Sequence, residues 1–179
     1  RSQERVVPSV IVMRAVPSDK SGVIGTINLE TGAAGEITVN VSEGVSAVVD
    51  GGVAESLLLK PNGEVRLLQQ ARNPYRKVVL PGGGLENQPA SGDDYVLTAD
   101  EIAQLRRMVA EVEKRYPPAR NEAGQVLPWD IEFGFEKGQL RLFQIRPLVR
   151  SQADRALEAL SGLGTPVAAA GRVRLEEPL

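Results

Sequence analysis

The sequence has no cysteine and no histidine, and these two absences exclude most of the familiar catalytic centres. Without cysteine there is no disulfide framework, no thiolate zinc site and no cysteine nucleophile. Without histidine there is no Ser-His-Asp triad, no imidazole metal ligand and no phosphohistidine carrier in this chain. Any chemistry must therefore come from carboxylates, amides, Lys, Arg and backbone groups.

An excess of charge of one sign is also missing, because 21 Lys and Arg residues stand against 23 Asp and Glu residues. A nucleic acid or an anionic membrane requires a concentrated basic surface, so we expect neither as the main partner. No apolar run approaches the roughly 18 residues of a membrane span. The charged residues 1–5 are unlike a signal peptide, and the chain starts without Met. We therefore expect a cytoplasmic protein and a sequence cut from something longer.

What is present predicts an α+β fold, mostly antiparallel sheet with one long helix packed on it. Short β-branched or alternating runs between turn residues predict strands over residues 10–13, 22–27, 36–41, 47–49, 55–60 and 64–69. Pro61-Asn62-Gly63 predicts a hairpin turn between the last two. Residues 73–94 are expected to be a long connection without strands, either functional or mobile.

The helix is the clearest predicted element. Thr98 and Glu101 form a capping box at its start, and Pro117-Pro118 ends it. Its apolar face consists of Ile102, Leu105, Val109, Val112 and Tyr116.

A second predicted hairpin, residues 129–136 and 139–145, carries the strongest chemical pattern. Asp130 and Glu132 lie on its first strand, Gln144 lies on its second strand, and Arg146 directly follows the second strand. Carboxylate and amide oxygens suit magnesium, and a guanidinium binds a phosphate in a bidentate contact. These are the parts that hold a nucleoside triphosphate for phosphoryl transfer. On spacing alone, the solvated face of an ordinary hairpin is the simpler interpretation.

Two other features give weaker evidence for a functional site. The segment Pro81-Gly82-Gly83-Gly84 lacks the Lys-Ser/Thr of a P-loop, so a flexible loop is the simpler interpretation. Arg72, Arg76 and Lys77 beside Tyr75 are too few to indicate a nucleic-acid surface in an acidic chain.

The register of this second hairpin decides whether its polar groups can meet. A two-residue turn at Lys137-Gly138 would place Glu132 opposite Phe143, and Gln144 would then point to the other face. A three-residue connection, or a bulge along either strand, would place Glu132 opposite Gln144. We predict that Glu132 and Gln144 share one face with Arg146. The residues expected to face the helix instead are Ile131, Phe133 and Phe135.

This hairpin resembles the segment that closes the ATP-binding domain of the phosphoenolpyruvate synthase and pyruvate phosphate dikinase family. That segment has Asp-Ile-Glu on one strand and Gln-x-Arg-Pro on the next, as residues 130–132 and 144–147 do here, with the same spacing of 12 residues from Glu132 to Gln144. Residues 18–23, Thr26 and residues 31–32 are similar to the family's Ser-Gly-Val-Met-Phe-Thr-Arg-Asp-Pro-x-Thr-Gly segment. With this resemblance, the nucleotide site becomes the preferred interpretation.

The resemblance implies an ATP-grasp-like subdomain, with residues 1–150 as the second half of the nucleotide-binding domain. Residues 151–179 would be a helical, Ala/Gly-rich connector towards a downstream domain. The implied cofactors are ATP and Mg²⁺, with Glu132 and Gln144 as metal ligands and Arg146 as the catalytic and phosphate-binding residue. Met13 occupies the family's adenine-side glutamine position. The implied partners are the N-terminal ATP-grasp half and a phosphohistidine domain, neither of which this chain contains, with pyruvate as the eventual acceptor.

Departures from the family pattern keep a second function open. Ile27 and Asn28 stand where the family has arginine and aspartate, and Ser46 stands where it has a glutamate. One hypothesis is therefore a part of a dikinase-like phosphotransferase. The other is a catalytically degenerate binding or scaffold domain of a larger protein.

Overall fold

The computed structural model describes Val10, Val12, residues 14–45, Val48 and residues 53–149. Contacts divide the chain into two units, Arg1–Leu148 and Val149–Leu179. All elements described here belong to the first unit. In this described part, no helix is long and apolar enough to cross a membrane.

Eight strands and one helix make up the described fold. In chain order they are β1 (Lys20–Ile27), β2 (Ala34–Glu43), β3 (Glu55–Leu59), β4 (Val65–Gln69), β5 (Tyr75–Val79), β6 (Leu85–Pro89), α1 (Ala99–Arg115), β7 (Trp129–Glu136) and β8 (Gln139–Pro147). Six strands form one antiparallel sheet in the order β4-β3-β2-β1-β7-β8, and β5 pairs with β6. The α+β class with one long helix is therefore confirmed.

The core lies between α1 and one face of the large sheet. Alternation along the strands sends every second side chain to this face. Phe133 and Phe135 are fully buried there and meet edge to face, with ring centroids 5.8 Å apart. The helix contributes Leu105, Val109 and Val112 to the same cluster. Because the helix covers only this face, the opposite face of the sheet is available for a site.

The start of α1 is fixed by buried carboxylates. Thr98 and Glu101 form the predicted capping box, and Glu101 also accepts from Lys20 Nζ of β1 at 2.7 Å. Glu55 accepts from the backbone N–H groups of Val96 and Leu97 at 2.8 and 3.2 Å. These contacts hold the helix start on the sheet.

Three sequence-based expectations are wrong. One is the strand over residues 47–49, because Val48 lies in no strand and the other two residues lie outside the described part. The long connection of residues 73–94 contains the hairpin of β5 and β6, and its glycine-rich segment is the turn, in which the Gly83 N–H donates to Leu80 at 3.0 Å. The glycines supply the positive φ that this turn needs, 91° at Gly83 and 89° at Gly84. Of the strand expected over residues 10–13, Val10 and Val12 lie in no strand, and the other two residues lie outside the described part.

Candidate functional site

The strand β7 and the strand β8 bring the predicted polar residues together. Glu132 pairs directly with Gln144, and Asp130 pairs with Arg146. Opposed residues of an antiparallel pair point to the same face, with Cβ atoms about 5 Å apart. Between these pairs, Ile131 on β7 is fully buried in the core, and Ile145 on β8 is partly buried against it. The predicted sharing of one face by Glu132, Gln144 and Arg146 is confirmed.

The register comes from a tight turn and a bulge. Lys137 and Gly138 both have positive φ, 51° and 73°, as a two-residue type I′ turn requires. Glu136 accordingly pairs with Gln139, and Phe133 pairs with Leu142. The next pair is Glu132 with Gln144, so Phe143 is an extra residue on β8. The bulge, and not a three-residue connection, therefore aligns the two oxygen donors.

A glycine on β7 makes room for this bulge. A Cβ atom placed on Gly134 would lie 2.7 Å from Cζ of Phe143 and 2.5 Å from Oγ of Ser18. The distance to Cζ is far below the contact distance of about 3.5 to 4.0 Å between carbon atoms, and the distance to Oγ is also too short for a carbon–oxygen contact. The ring of Phe143 thus lies across the backbone of Gly134, on the face that carries Glu132.

An ion pair orients the guanidinium of the site. Arg146 Nε donates to Asp130 Oδ2 at 2.7 Å, and its Nη2 lies 3.9 Å from Glu132 Oε1. The hydrogen bond with Asp130, and then the charge of Asp130, raise the pKa of Arg146 above its ordinary value. The side chain of Arg146 is 56% exposed. It is therefore charged, held at Nε by Asp130, and exposed enough to contact a ligand.

The oxygen donors of the site fit magnesium. Glu132 offers a carboxylate and Gln144 an amide oxygen, and both are hard ligands of the kind that Mg²⁺ takes with water and phosphate oxygens. Among the described residues, no group of three or more His, Cys, Asp or Glu side chains could hold a metal by itself. A site built here therefore needs ligand oxygens from a bound phosphate or from water to complete it.

A cavity of about 370 Å³ adjoins this polar group on the same face. Glu132 lines it, and the remainder of its wall is mainly apolar. Apolar wall residues come from the large sheet and from the β5–β6 hairpin; they include Val23, Val79, Leu85 and Phe143. A mainly apolar cleft with a small number of polar groups is the usual form of a small-molecule site.

The other predicted positions have different outcomes. Met13 and Ser46 lie outside the described residues. Asn28 is 6% exposed, and its Oδ1 accepts from the backbone N–H groups of Glu30 and Thr31 at 2.9 and 3.0 Å. Its Nδ2 donates to Glu36 Oε2 at 2.7 Å. Asn28 is thus a turn residue, so its departure from the family's aspartate has a structural explanation.

Sequence reasoning missed the apolar wall of the cavity. Val23 is an ordinary strand residue by pattern, and Val79 and Leu85 fell within the expected connection. Phe143 carried a detectable signal, because it directly follows Leu142, and two consecutive apolar residues break the alternation of a two-faced strand. That signal indicates a bulge only once the turn length is known.

Comparison with known proteins agrees with the motif. Residues 2–162 match the family described as pyruvate phosphate dikinase, AMP/ATP-binding domain. Phosphoenolpyruvate synthase of Pyrococcus furiosus is 30% identical over 94% of this chain, and a probable phosphoenolpyruvate synthase of Pyrococcus horikoshii is 28% identical over 94%. The chain spans 23% and 22% of the lengths of these two relatives. The match covers most of the chain, which therefore belongs to the pyruvate phosphate dikinase AMP/ATP-binding domain family.

Proposed function

We propose that this chain is the magnesium- and ATP-binding part of a dikinase-like phosphotransferase. The observation that carries the proposal is the direct pairing of Glu132 with Gln144, beside Arg146, with Glu132 also lining a mainly apolar cavity. The family membership supports a nucleotide as the ligand. The base would occupy the apolar cavity, and the phosphates would extend from Glu132 towards Arg146.

Each residue of the site has a role in this proposal. Glu132 and Gln144 hold magnesium through their side-chain oxygens. Bound magnesium supplies neutralisation of the charge that moves during phosphoryl transfer. Arg146 donates its free guanidinium N–H groups to the β- and γ-phosphate oxygens. Asp130 keeps that guanidinium in place, so little reorganisation is needed when the phosphates bind.

The proposal extends to the whole protein in which this sequence occurs. Residues 1–150 would be the second half of an ATP-grasp domain, and residues 151–179 a connector. The first half would supply further phosphate donors, and a phosphohistidine domain would accept the phosphoryl group on its way to pyruvate. This chain spans only a small fraction of the length of its relatives, which supports such an arrangement.

A degenerate scaffold domain remains the second candidate, and Ile27 favours it. Ile27 stands where the family segment has a cation. Asn28 no longer adds to this argument, because its carboxamide is used within the turn. The two candidates differ in nucleotide affinity.

Titration of the whole protein with ATP, with and without magnesium, tests the proposal. One lobe alone lacks much of the desolvation and many of the donors, so the complete protein is required. Arg146→Lys should weaken ATP binding, since an ammonium cannot reproduce the planar fork. Arg141→Lys is the matched control, because Arg141 lies on the same strand and pairs with Glu136 at 3.0 Å. Equal ATP affinity of the two variants would refute the assignment of Arg146.

A further inference from the structure

Phe143 is the aromatic residue whose ring is partly exposed at the cavity. Two phenylalanines line that cavity, but Phe133 is fully buried, whereas Phe143 is 38% exposed. The ring of Phe143 is seated on the bare backbone of Gly134, where a Cβ atom would meet it at 2.7 Å. Because Phe143 is partly exposed and lines the cavity, part of its ring is accessible to a ligand bound there.

The bulge gives this ring its unusual direction. Consecutive side chains of a regular strand point to opposite faces, so a residue next to Gln144 would normally turn towards the helix. Phe143 instead lines the cavity together with Glu132, the cross-strand partner of Gln144. The extra residue in β8 therefore keeps an aromatic ring and an amide ligand on one face, one residue apart.

We infer that Phe143 is the stacking surface for the base of the bound nucleotide and sets the affinity for that base. This inference rests on the proposed function. The other cavity walls include aliphatic residues such as Val23, Val79 and Leu85, which pack against a base but offer no π-face. An aromatic ring binds a flat heterocycle by stacking, whichever hydrogen-bond groups that heterocycle carries. The polar residues Glu132, Gln144 and Arg146 would then bind the phosphates, and Phe143 the base.

The contributions of the base and of the phosphates to ATP binding can be measured separately. ATP and inorganic triphosphate are titrated into the whole protein in the presence of magnesium. Phe143→Ala and Phe143→Leu should each weaken ATP binding by about 5- to 150-fold, the range of one base–aromatic stack. Both variants should leave the affinity for inorganic triphosphate unchanged. Phe143→Leu retains an apolar side chain over Gly134, so it keeps the test valid if the alanine variant is poorly folded.

A fluorescent variant and a matched control complete the design. Phe143→Trp places an indole ring at the cavity, and its emission should be quenched by ATP but not by inorganic triphosphate. Leu142→Ala is the control, because Leu142 is a similarly exposed neighbour, 46%, that pairs with Phe133 on the other face. Its affinity for both ligands should be unchanged.

Three results would contradict the inference. Equal weakening of ATP and triphosphate binding in the Phe143 variants would mean that Phe143 maintains the register of β8 and does not bind the base. Unchanged ATP binding in Phe143→Leu and Phe143→Ala would exclude stacking while leaving the proposed function in place. Failure of the wild type to bind either ligand would overturn the proposed function itself, and the inference with it.

Discussion

Replacing Gly134 by alanine tests the packing that aligns the site. The backbone of Gly134 is in an ordinary strand, so the substitution adds a methyl group without backbone strain of the left-handed kind. That methyl group would lie 2.5 Å from Ser18 Oγ and 2.7 Å from Phe143 Cζ. Either β8 moves away from β7, or the Phe143 ring leaves its position.

The expected cost follows from two opposing effects. Overpacking a well-filled site costs typically about 1 to 3 kcal/mol. Alanine offsets part of this, because glycine within a strand is disfavoured by roughly 0.5 to 1 kcal/mol. We therefore expect Gly134→Ala to lower the free energy of unfolding by about 1 to 2 kcal/mol. For a domain of this size the Tm should fall by about 2 to 8 °C.

Thermal unfolding followed by the fluorescence of Trp129, the single tryptophan of the sequence, measures this change. Gly82→Ala is the matched control, because its φ is not positive and, apart from its chain neighbours, no atom of the described residues lies within 4 Å of the Cβ position. Adding Phe143→Ala to Gly134→Ala removes one of the two clashes, so the double variant should lose less than the sum of the single changes. A Gly134→Ala protein as stable as Gly82→Ala would refute the packing argument.

Three further predictions concern buried polar groups. Lys20→Met leaves the Glu101 side chain, 7% exposed, without its cation, and should cost about 2 kcal/mol in urea unfolding. Burial raises the pKa of Glu55 above the ordinary 4.5, so the folded chain holds this proton to higher pH than the unfolded chain does. Its contribution to stability should therefore fall as the pH rises from 4.5 through the folded pKa, and unfolding curves of Glu55→Gln should lack that slope. Asn28→Asp places a second carboxylate beside that of Glu36. The repulsion should lower stability by about 1 to 2 kcal/mol in the same assay.

Each of these predictions has a control. Lys60→Met removes only an exposed pair with Glu64, and should cost much less than Lys20→Met does. Glu36→Gln added to Asn28→Asp removes the repulsion and should restore part of the stability. Equal losses for the two lysine variants, equal pH slopes for wild type and Glu55→Gln, or no recovery with Glu36→Gln would each contradict the reasoning.

Local signals predicted much of the fold. Thr98 and Glu101 predicted the start of α1, and the turn at Pro61-Asn62-Gly63 predicted the pairing of β3 with β4. Such signals work because capping and turn formation depend on residues only a few positions apart. The β5–β6 hairpin was missed because its sequence carries no comparable local signal. Its second strand, Leu85–Pro89, carries Glu, Asn, Gln and Pro, which have low strand propensity, so tertiary context fixes it.

The site was predictable only in part. Strand alternation and the motif placed Glu132, Gln144 and Arg146 on one face, which the register confirms. The choice between a longer turn and a bulge could not be made from the sequence. It depends on Gly134 accepting the Phe143 ring, a contact between strands that no local pattern contains. The roles of the three site residues remain predictions.

The magnesium dependence of ATP affinity in Glu132 and Gln144 variants tests the central claim most directly. Calorimetric titration of the whole protein compares wild type, Glu132→Ala, Gln144→Ala and the control Glu136→Ala. Glu136 lies on the same strand and the same face, but it pairs with Arg141 at 3.0 Å, away from Gln144. We predict that magnesium strengthens ATP binding in wild type and in Glu136→Ala but not in the other two. The same gain in all four proteins would contradict the account.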